Sequence, residues 1–145
     1  MSDPLSIIRC FAPPSAWTAE HIAIPPEEAR HALRARRARP TDHIEVLDGT
    51  GRRAVVELVT VGRSCRARIR KLRQEAPPAV ELALAVGLPK GERSDGIVEK
   101  AVELGIRRLT FFLAERSVPR PDMESRDRRL ERWRRIAVET IKQCG

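Results

Sequence analysis

The apolar pattern changes period once, at Glu75-Ala76-Pro77-Pro78, and that change sets what the chain can fold into. Before it, short runs alternate apolar and polar residues. Ile44, Val46 and the intervening Glu45 fit a half-buried strand, and Ala54 to Val61 is rich in β-branched residues. After it, Val80 to Val86 is almost continuously apolar, as in a strand buried on both faces of a parallel sheet. Ile97, Ala101 and Leu104 then recur at helical spacing, with Gly105 as a C-terminal stop. Leu109 to Leu113 reads as a second buried strand. Leu130, Trp133, Ala137, Thr140, Ile141 and Cys144 mark one stripe of a last helix. The expectation is a mixed α+β and α/β chain. Residues 1–74 form a small barrel of short strands, 75–78 a linker, and 79–145 an incomplete strand–helix–strand–helix domain.

The first part carries its own punctuation. Ile7 to Phe11 is a strand candidate closed by Pro13 and Pro14, and Ile22 to Ile24 is a second apolar stretch. Pro26 opens a helix expected to run to about Arg37, with Glu27 and Glu28 complementing its dipole and Pro40 ending it. Asp48-Gly49-Thr50-Gly51 is a turn, because its glycines tolerate positive φ. In Cys65 to Arg73, basic residues alternate with Cys65, Ala67, Ile69 and Leu72, which sends most of the charge to one face.

Charge narrows the partner. The formal net charge is +8, and only Lys71, Lys90, Lys100 and Lys142 of the 28 basic residues are lysines. Arginine's planar fork matches phosphate and stacks on bases, so the surplus points towards nucleic acid; GC-rich codon usage is the bland alternative. Residues 1–74 hold 14 basic and 8 acidic residues, so most of the surplus lies there. Cys10, Cys65 and Cys144 show no metal-ligand or disulfide spacing, which suits a reducing cytoplasm without a metal site. No apolar run reaches the roughly 18 residues of a membrane span.

Several segments together resemble one family. His31-Ala32-Leu33-Arg34, followed by Arg36, Arg37 and Pro40-Thr41-Asp42, is similar to its His-x-x-Arg segment, and Leu47-Asp48-Gly49-Thr50-Gly51 to its Asp-Gly turn. Gly87-Leu88-Pro89-Lys90-Gly91-Glu92-Arg93, then Glu99-Lys100-Ala101-Val102-Glu103-Leu104-Gly105, is the most specific match. Glu115-Arg116-Ser117-Val118 and the stretch from Arg132-Trp133 to Gln143-Cys144-Gly145 continue in order. The chain thus resembles the RsmE family of 16S ribosomal RNA uridine-N3 methyltransferases. The resemblance implies an N-terminal PUA-like β-barrel that binds RNA, followed by the first part of a SPOUT methyltransferase domain. It also implies S-adenosyl-L-methionine as donor, 16S ribosomal RNA of the small subunit as substrate, and a cytoplasmic homodimer. Donor-binding residues are expected downstream of Gly145, because no Gly-Pro-Glu-Gly-Gly segment is present, and the chain is expected to be a fragment. Three departures stand out: Ala35 and Arg36 replace a bulky apolar pair, Thr41 replaces a turn glycine, and Gly96 replaces a large apolar residue.

The candidate RNA contacts are Arg9, His31, Arg34, Arg36, Arg37, Arg39, Lys90 and Arg93, and Arg116 is the candidate catalytic residue. Arg34 and Arg37 share a helix face by their spacing, as a phosphate-binding patch or a solvated surface. Arg9 is an RNA contact or a plain surface arginine, and His31 stacks on a base or packs. Lys90, Arg93 and Arg116 follow the two parallel strands, where open α/β sheets bind ligands. Arg116 would contact the target nucleotide or the donor, or pair with Glu115 or another carboxylate. The general base is not legible. Two other readings stand beside the enzyme: a non-catalytic RNA-binding fragment lacking the donor site, and a DNA-binding regulator supported only by the arginine-rich helix.

Overall fold

A computed structural model describes residues 8–30, 37–62, 64–116 and 120–144. The chain divides into two compact units, 1–77 and 78–145.

The first unit is a five-stranded sheet. Its strands are β1 (Arg9–Phe11), β2 (His21–Ile24), β3 (His43–Leu47), β4 (Arg52–Thr60) and β5 (Cys65–Gln74). Their order across the sheet is β1-β3-β4-β5-β2, with β1 parallel to β3 and the other pairs antiparallel. Alternation decides which side chains go inwards. Ile44 and Val46 of β3, Ala54, Val56 and Leu58 of β4, and Cys65 and Ala67 of β5 are buried. Cys10 from β1 at one edge and Ile22 and Ile24 from β2 at the other join the same cluster, so the sheet curls around one core. Burial pushes the Cys65 thiol up, which keeps it protonated and unreactive.

The turn between β3 and β4 is built on Asp48. Its carboxylate accepts from Thr50 N (2.7 Å), Thr50 Oγ1 (2.7 Å), Arg52 N (3.0 Å) and Arg52 Nε (2.6 Å). Gly49 and Gly51 hold φ of 76° and 94°, and a Cβ on Gly49 would lie 3.3 Å from the Phe11 ring. Arg52 also lies 5.0 Å over the Trp17 ring, whose Nε1 donates to Ala12 O at 2.9 Å.

The helix expected from Pro26 to about Arg37 begins where the prolines place it. Its α-helical part, α1, is Pro26–Glu28, and the winding widens over Ala29 and Arg30. Residues 31–36 lie outside the described residues. Arg37 has φ of 53°, which a right-handed helix forbids, so it lies in the turn and does not extend the expected helix face.

In the second unit, β6 (Ala83–Gly87) and β7 (Arg108–Phe112) pair in parallel. They alternate with α2 (Arg93–Glu103) and α3 (Met123–Cys144). Ser94, Val98 and Ala101 form the buried face of α2. Its end is fixed by Gly105 N donating to Val102 O (2.9 Å) and Ile106 N to Ala101 O (2.9 Å), with Gly105 at φ of 67°. Asp122 caps α3 by accepting from Ser125 N at 2.8 Å, and hydrogen bonding by the Ser125 side chain first, and by this backbone N–H second, holds its carboxyl below the usual range. Two expectations fail here. The strand starts at Ala83 and is not buried on both faces: Ala83, Leu84, Ala85 and Gly87 are exposed, as are Val80 and Leu82 before it. Leu104, expected on the buried stripe of α2, is 74% exposed, because the helix closes at that residue and turns it away from the Val98–Ala101 face. Among the described residues of this unit, two strands and two helices do not supply enough surface to cover a doubly flanked sheet.

Candidate functional site

Parallel pairing puts the loops after β6 and β7 at one end of the sheet. Leu88 N donates to Phe112 O at 2.8 Å, so the first loop leaves β6 still paired with β7. Lys90 lies exposed in that loop and Arg93 opens α2. Arg132 of α3 reaches Asp95 Oδ2 (2.5 Å) and Glu92 Oε1 (3.1 Å), tying the turn that carries Arg93 to the last helix. Glu92, then Asp95, raises the pKa of Arg132. Arg116 lies exposed in the turn after β7, and no ion pair joins it to Glu115 or another carboxylate among the described residues. Lys90, Arg93 and Arg116 therefore share the carboxyl end of the sheet. Glu99 and Glu103 line the solvated side of α2, where Lys100 pairs with Glu103 at 2.7 Å.

Beside this end lies a cavity of about 340 Å³ lined by Leu88, Phe111, Leu113, Pro121, Arg126, Arg129 and Trp133. The Trp133 and Phe111 rings meet at 4.4 Å, which seats α3 on β7 and forms the cavity floor. A neighbouring cavity of about 400 Å³ is lined by Leu113, Ala114, Glu115, Arg120, Pro121 and Arg126. Sequence reasoning missed Arg120, Arg126 and Arg129. The signal was present: Arg126, Arg129 and Trp133 stand at helical spacing, so the arginines share the face of the tryptophan.

The remaining candidates lie in the first unit. Arg9 Nε donates to Glu45 Oε2 at 2.8 Å, and Arg53 Nε lies 3.3 Å from the other oxygen of the same carboxylate. Arg9 and Arg53 thus share the Glu45 carboxylate. Arg37 and Arg39 are exposed in the turn before β3. There the backbone of Arg39 donates to Asp42 Oδ2 at 2.7 Å, and Thr41 N donates to Leu58 O at 2.8 Å. His31, Arg34 and Arg36 lie outside the described residues.

A family model described as the RNA methyltransferase domain matches residues 75–145. The chain is 31% identical over 128 residues to ribosomal RNA small subunit methyltransferase E of Bacillus subtilis, covering 86% of this chain and 50% of that protein. It is 32% identical over 118 residues to the protein of the same name from Mycobacterium bovis, covering 81% and 45%. Its fold matches ribosomal RNA small subunit methyltransferase E from Neisseria gonorrhoeae, solved bound to S-adenosyl methionine. That match has a TM-score of 0.83 and 26% identity, over 97% of this chain and 58% of that one. The second unit therefore falls in the class of RNA methyltransferase domains. Over most of its length the chain is similar to ribosomal RNA small subunit methyltransferase E, and it spans about half the length of the curated relatives it matches.

Proposed function

We propose that this chain is the RNA-engaging part of an S-adenosyl-L-methionine-dependent methyltransferase acting on N3 of a uridine in 16S ribosomal RNA. The observation that carries the reading is the junction of that similarity with three cations, Lys90, Arg93 and Arg116, at the carboxyl end of a parallel strand pair. In this reading the curled sheet of residues 1–74 is a PUA-like barrel, 75–78 the linker, and 79–145 the first part of a SPOUT domain. A cytoplasmic homodimer working on the small ribosomal subunit belongs to the same reading.

Uridine pairs through N3, so the base must leave its helix before reaction. Loss of the N3 proton creates negative charge, which a nearby arginine stabilises. Arg116 is assigned that role, with Arg9, His31, Arg34, Arg36, Arg37, Arg39, Lys90 and Arg93 holding phosphates and bases of the substrate. The donor, when bound, supplies a methyl group on a cationic sulfonium. The fit among the described residues is poor: the cavity beside the sheet end sets Arg126 and Arg129 against no carboxylate, and the carboxylate of the neighbouring cavity, Glu115, stands with Arg120 and Arg126, a poor setting for a cationic sulfonium. No donor-binding residue is assigned within this chain.

That mismatch favours a second reading for the chain as it stands, a non-catalytic RNA-binding module. The test uses small ribosomal subunits lacking the modification, labelled donor, and two proteins: residues 1–145, and the same chain with the coding sequence that follows it. The longer protein is expected to label one uridine whose methylated N3 stops reverse transcription, and residues 1–145 to label none. Unlabelled subunits with the longer protein would overturn the enzyme reading. Micromolar donor binding by residues 1–145 in calorimetry would overturn the non-catalytic one.

A further inference from the structure

On the outer face of the curled sheet, β5 presents a row of basic residues that no candidate site so far includes. Cys65, Ala67 and Ile69 point to the core, so Arg66 and Arg68 point out. The register then shifts. Ile69 pairs with Val56 and Lys71 with Val55, leaving Arg70 as the extra residue of a bulge. The bulge restores the alternation one residue late, so Lys71 and Arg73 also face outwards. Without it, Lys71 and Arg73 would point at the core.

The carboxylates of this face are already used. Glu57 is bound by Arg70, and Glu45 by Arg9 and Arg53. Arg53 also reaches Glu75 at 3.8 Å. Arg66, Arg68, Lys71 and Arg73 make no ion pair among the described residues, and all four are exposed. They are spaced along an extended strand, with roughly 6.6–6.8 Å between next-nearest residues. Like charges held in such a row repel one another, and a polyanion of matching linear repeat relieves that repulsion. At the Lys71–Arg73 end the face is hollowed by a cavity of about 190 Å³, floored by Ala54 and Val55 and walled by Arg53, Lys71, Arg73 and Glu45.

We infer that the outer face of β5 is a phosphate-tracking surface for a single strand of RNA, with Arg66, Arg68, Lys71 and Arg73 as its contacts. The inference rests on the proposed RNA-engaging role and adds a surface to it. Phosphates bind the four cations without base recognition, so affinity depends strongly on salt and little on sequence.

The experiment measures binding of residues 1–145 to a fluorescent 20-nucleotide single-stranded RNA of mixed sequence across a salt series. The test variant carries R66Q, R68Q, K71Q and R73Q. A control variant, with R107Q, R128Q, R134Q and R135Q, removes the same charge from the second unit. A third variant, R66K, R68K and R73K, keeps the charge. The test variant is expected to bind at least tenfold more weakly, with the salt slope reduced by about 3, near 0.7 for every phosphate no longer neutralised. The control is expected to stay within about threefold of the parent, and the lysine variant to keep the parent's salt slope. Equal weakening in test and control would overturn the surface by showing that net charge alone matters. An unchanged test variant beside a binding parent would overturn it while leaving the RNA-engaging reading intact. Preference for duplex DNA, or no RNA binding by the parent, would overturn both. Circular dichroism of the test variant separates weakened RNA binding from unfolding; if that variant unfolds, R66Q with R68Q alone decides the case, with a slope reduction of about 1.4 expected and an unchanged slope overturning the surface.

Discussion

Two residues store opposite balances of free energy. Thr41 has φ of 78°, a left-handed conformation that a β-branched residue tolerates poorly, at about 1–2 kcal/mol. The turn holds it there because Thr41 N and Asp42 O are both committed to Leu58 across the sheet. Thr41→Gly removes that strain and adds about 0.5–1 kcal/mol of unfolded-chain entropy to be lost on folding. The net expectation is a modest rise in Tm, up to about 4 °C, in a thermal melt. Asp48 is the reverse case. Burial alone would raise its pKa, but hydrogen bonds from Thr50 and Arg52 outweigh burial and hold it below the ordinary carboxylate value. Its contribution to stability is therefore complete above about pH 4 and is lost as pH falls through the depressed folded value. Asp48→Asn replaces an acceptor with a donor facing other donors, and is expected to cost about 1–3 kcal/mol at pH 7. Urea titrations at pH 7 and pH 3 should show the gap between parent and variant narrowing in acid.

At the scale of elements, the sequence was most readable where one face is buried and the other is wet. The alternation in β3 and β5 assigned Ile44, Val46, Cys65 and Ala67 to the core correctly, because period 2 leaves no other arrangement. The β5 bulge at Arg70 left one trace in the sequence, the step of three from Ile69 to Leu72 after steps of two, which the alternation of the whole run hid. The run from Val80 to Val86 misled for a related reason. Apolarity states what a strand needs covered, and says nothing about whether the chain in hand covers it. The loops bearing Lys90, Arg93 and Arg116 were legible from strand–helix order, whereas Arg126 and Arg129 needed the helix phase relative to Trp133. Gly96 carries the same lesson for α2. Its replacement of a large apolar residue suggested a missing core side chain, yet Gly96 is exposed and a Cβ there would meet nothing within 4 Å. Only the backbone term remains, so Gly96→Ala is expected to stabilise by about 0.5–1 kcal/mol. Gly105→Ala, at φ of 67°, is expected to destabilise. Chemical denaturation of the two variants checks both signs, and a stabilising Gly105→Ala would refute the capping account.

The whole chain has one well-built core and one thin one. Among the described residues, the first unit buries Ile22, Ile24, Ile44, Val46, Val56 and Leu58 in a single cluster fed by every strand of its sheet. The buried apolar residues of the second unit are Leu88, Val98 and Ala101, while Val80, Leu82, Leu84, Phe112 and Leu113 stay exposed. Each of these half-exposed side chains forgoes part of the roughly 1.5–3 kcal/mol that complete burial of a wholly exposed one would provide. The backbone entropy of ordering β6 and β7 is owed regardless. Local opening free energies should therefore differ sharply between the units. Native-state hydrogen exchange on residues 1–145 is expected to give its slowest amides in β3, β4 and the Cys65–Ile69 part of β5. Amides of β6 and β7 should exchange at least tenfold faster, although their parallel ladder is fully formed. Equal protection in the two sheets would mean that the second unit draws stability from something other than the apolar surface it buries. Selective slowing of β6 and β7 on adding a binding partner would identify their uncovered faces as the surface that the partner occupies.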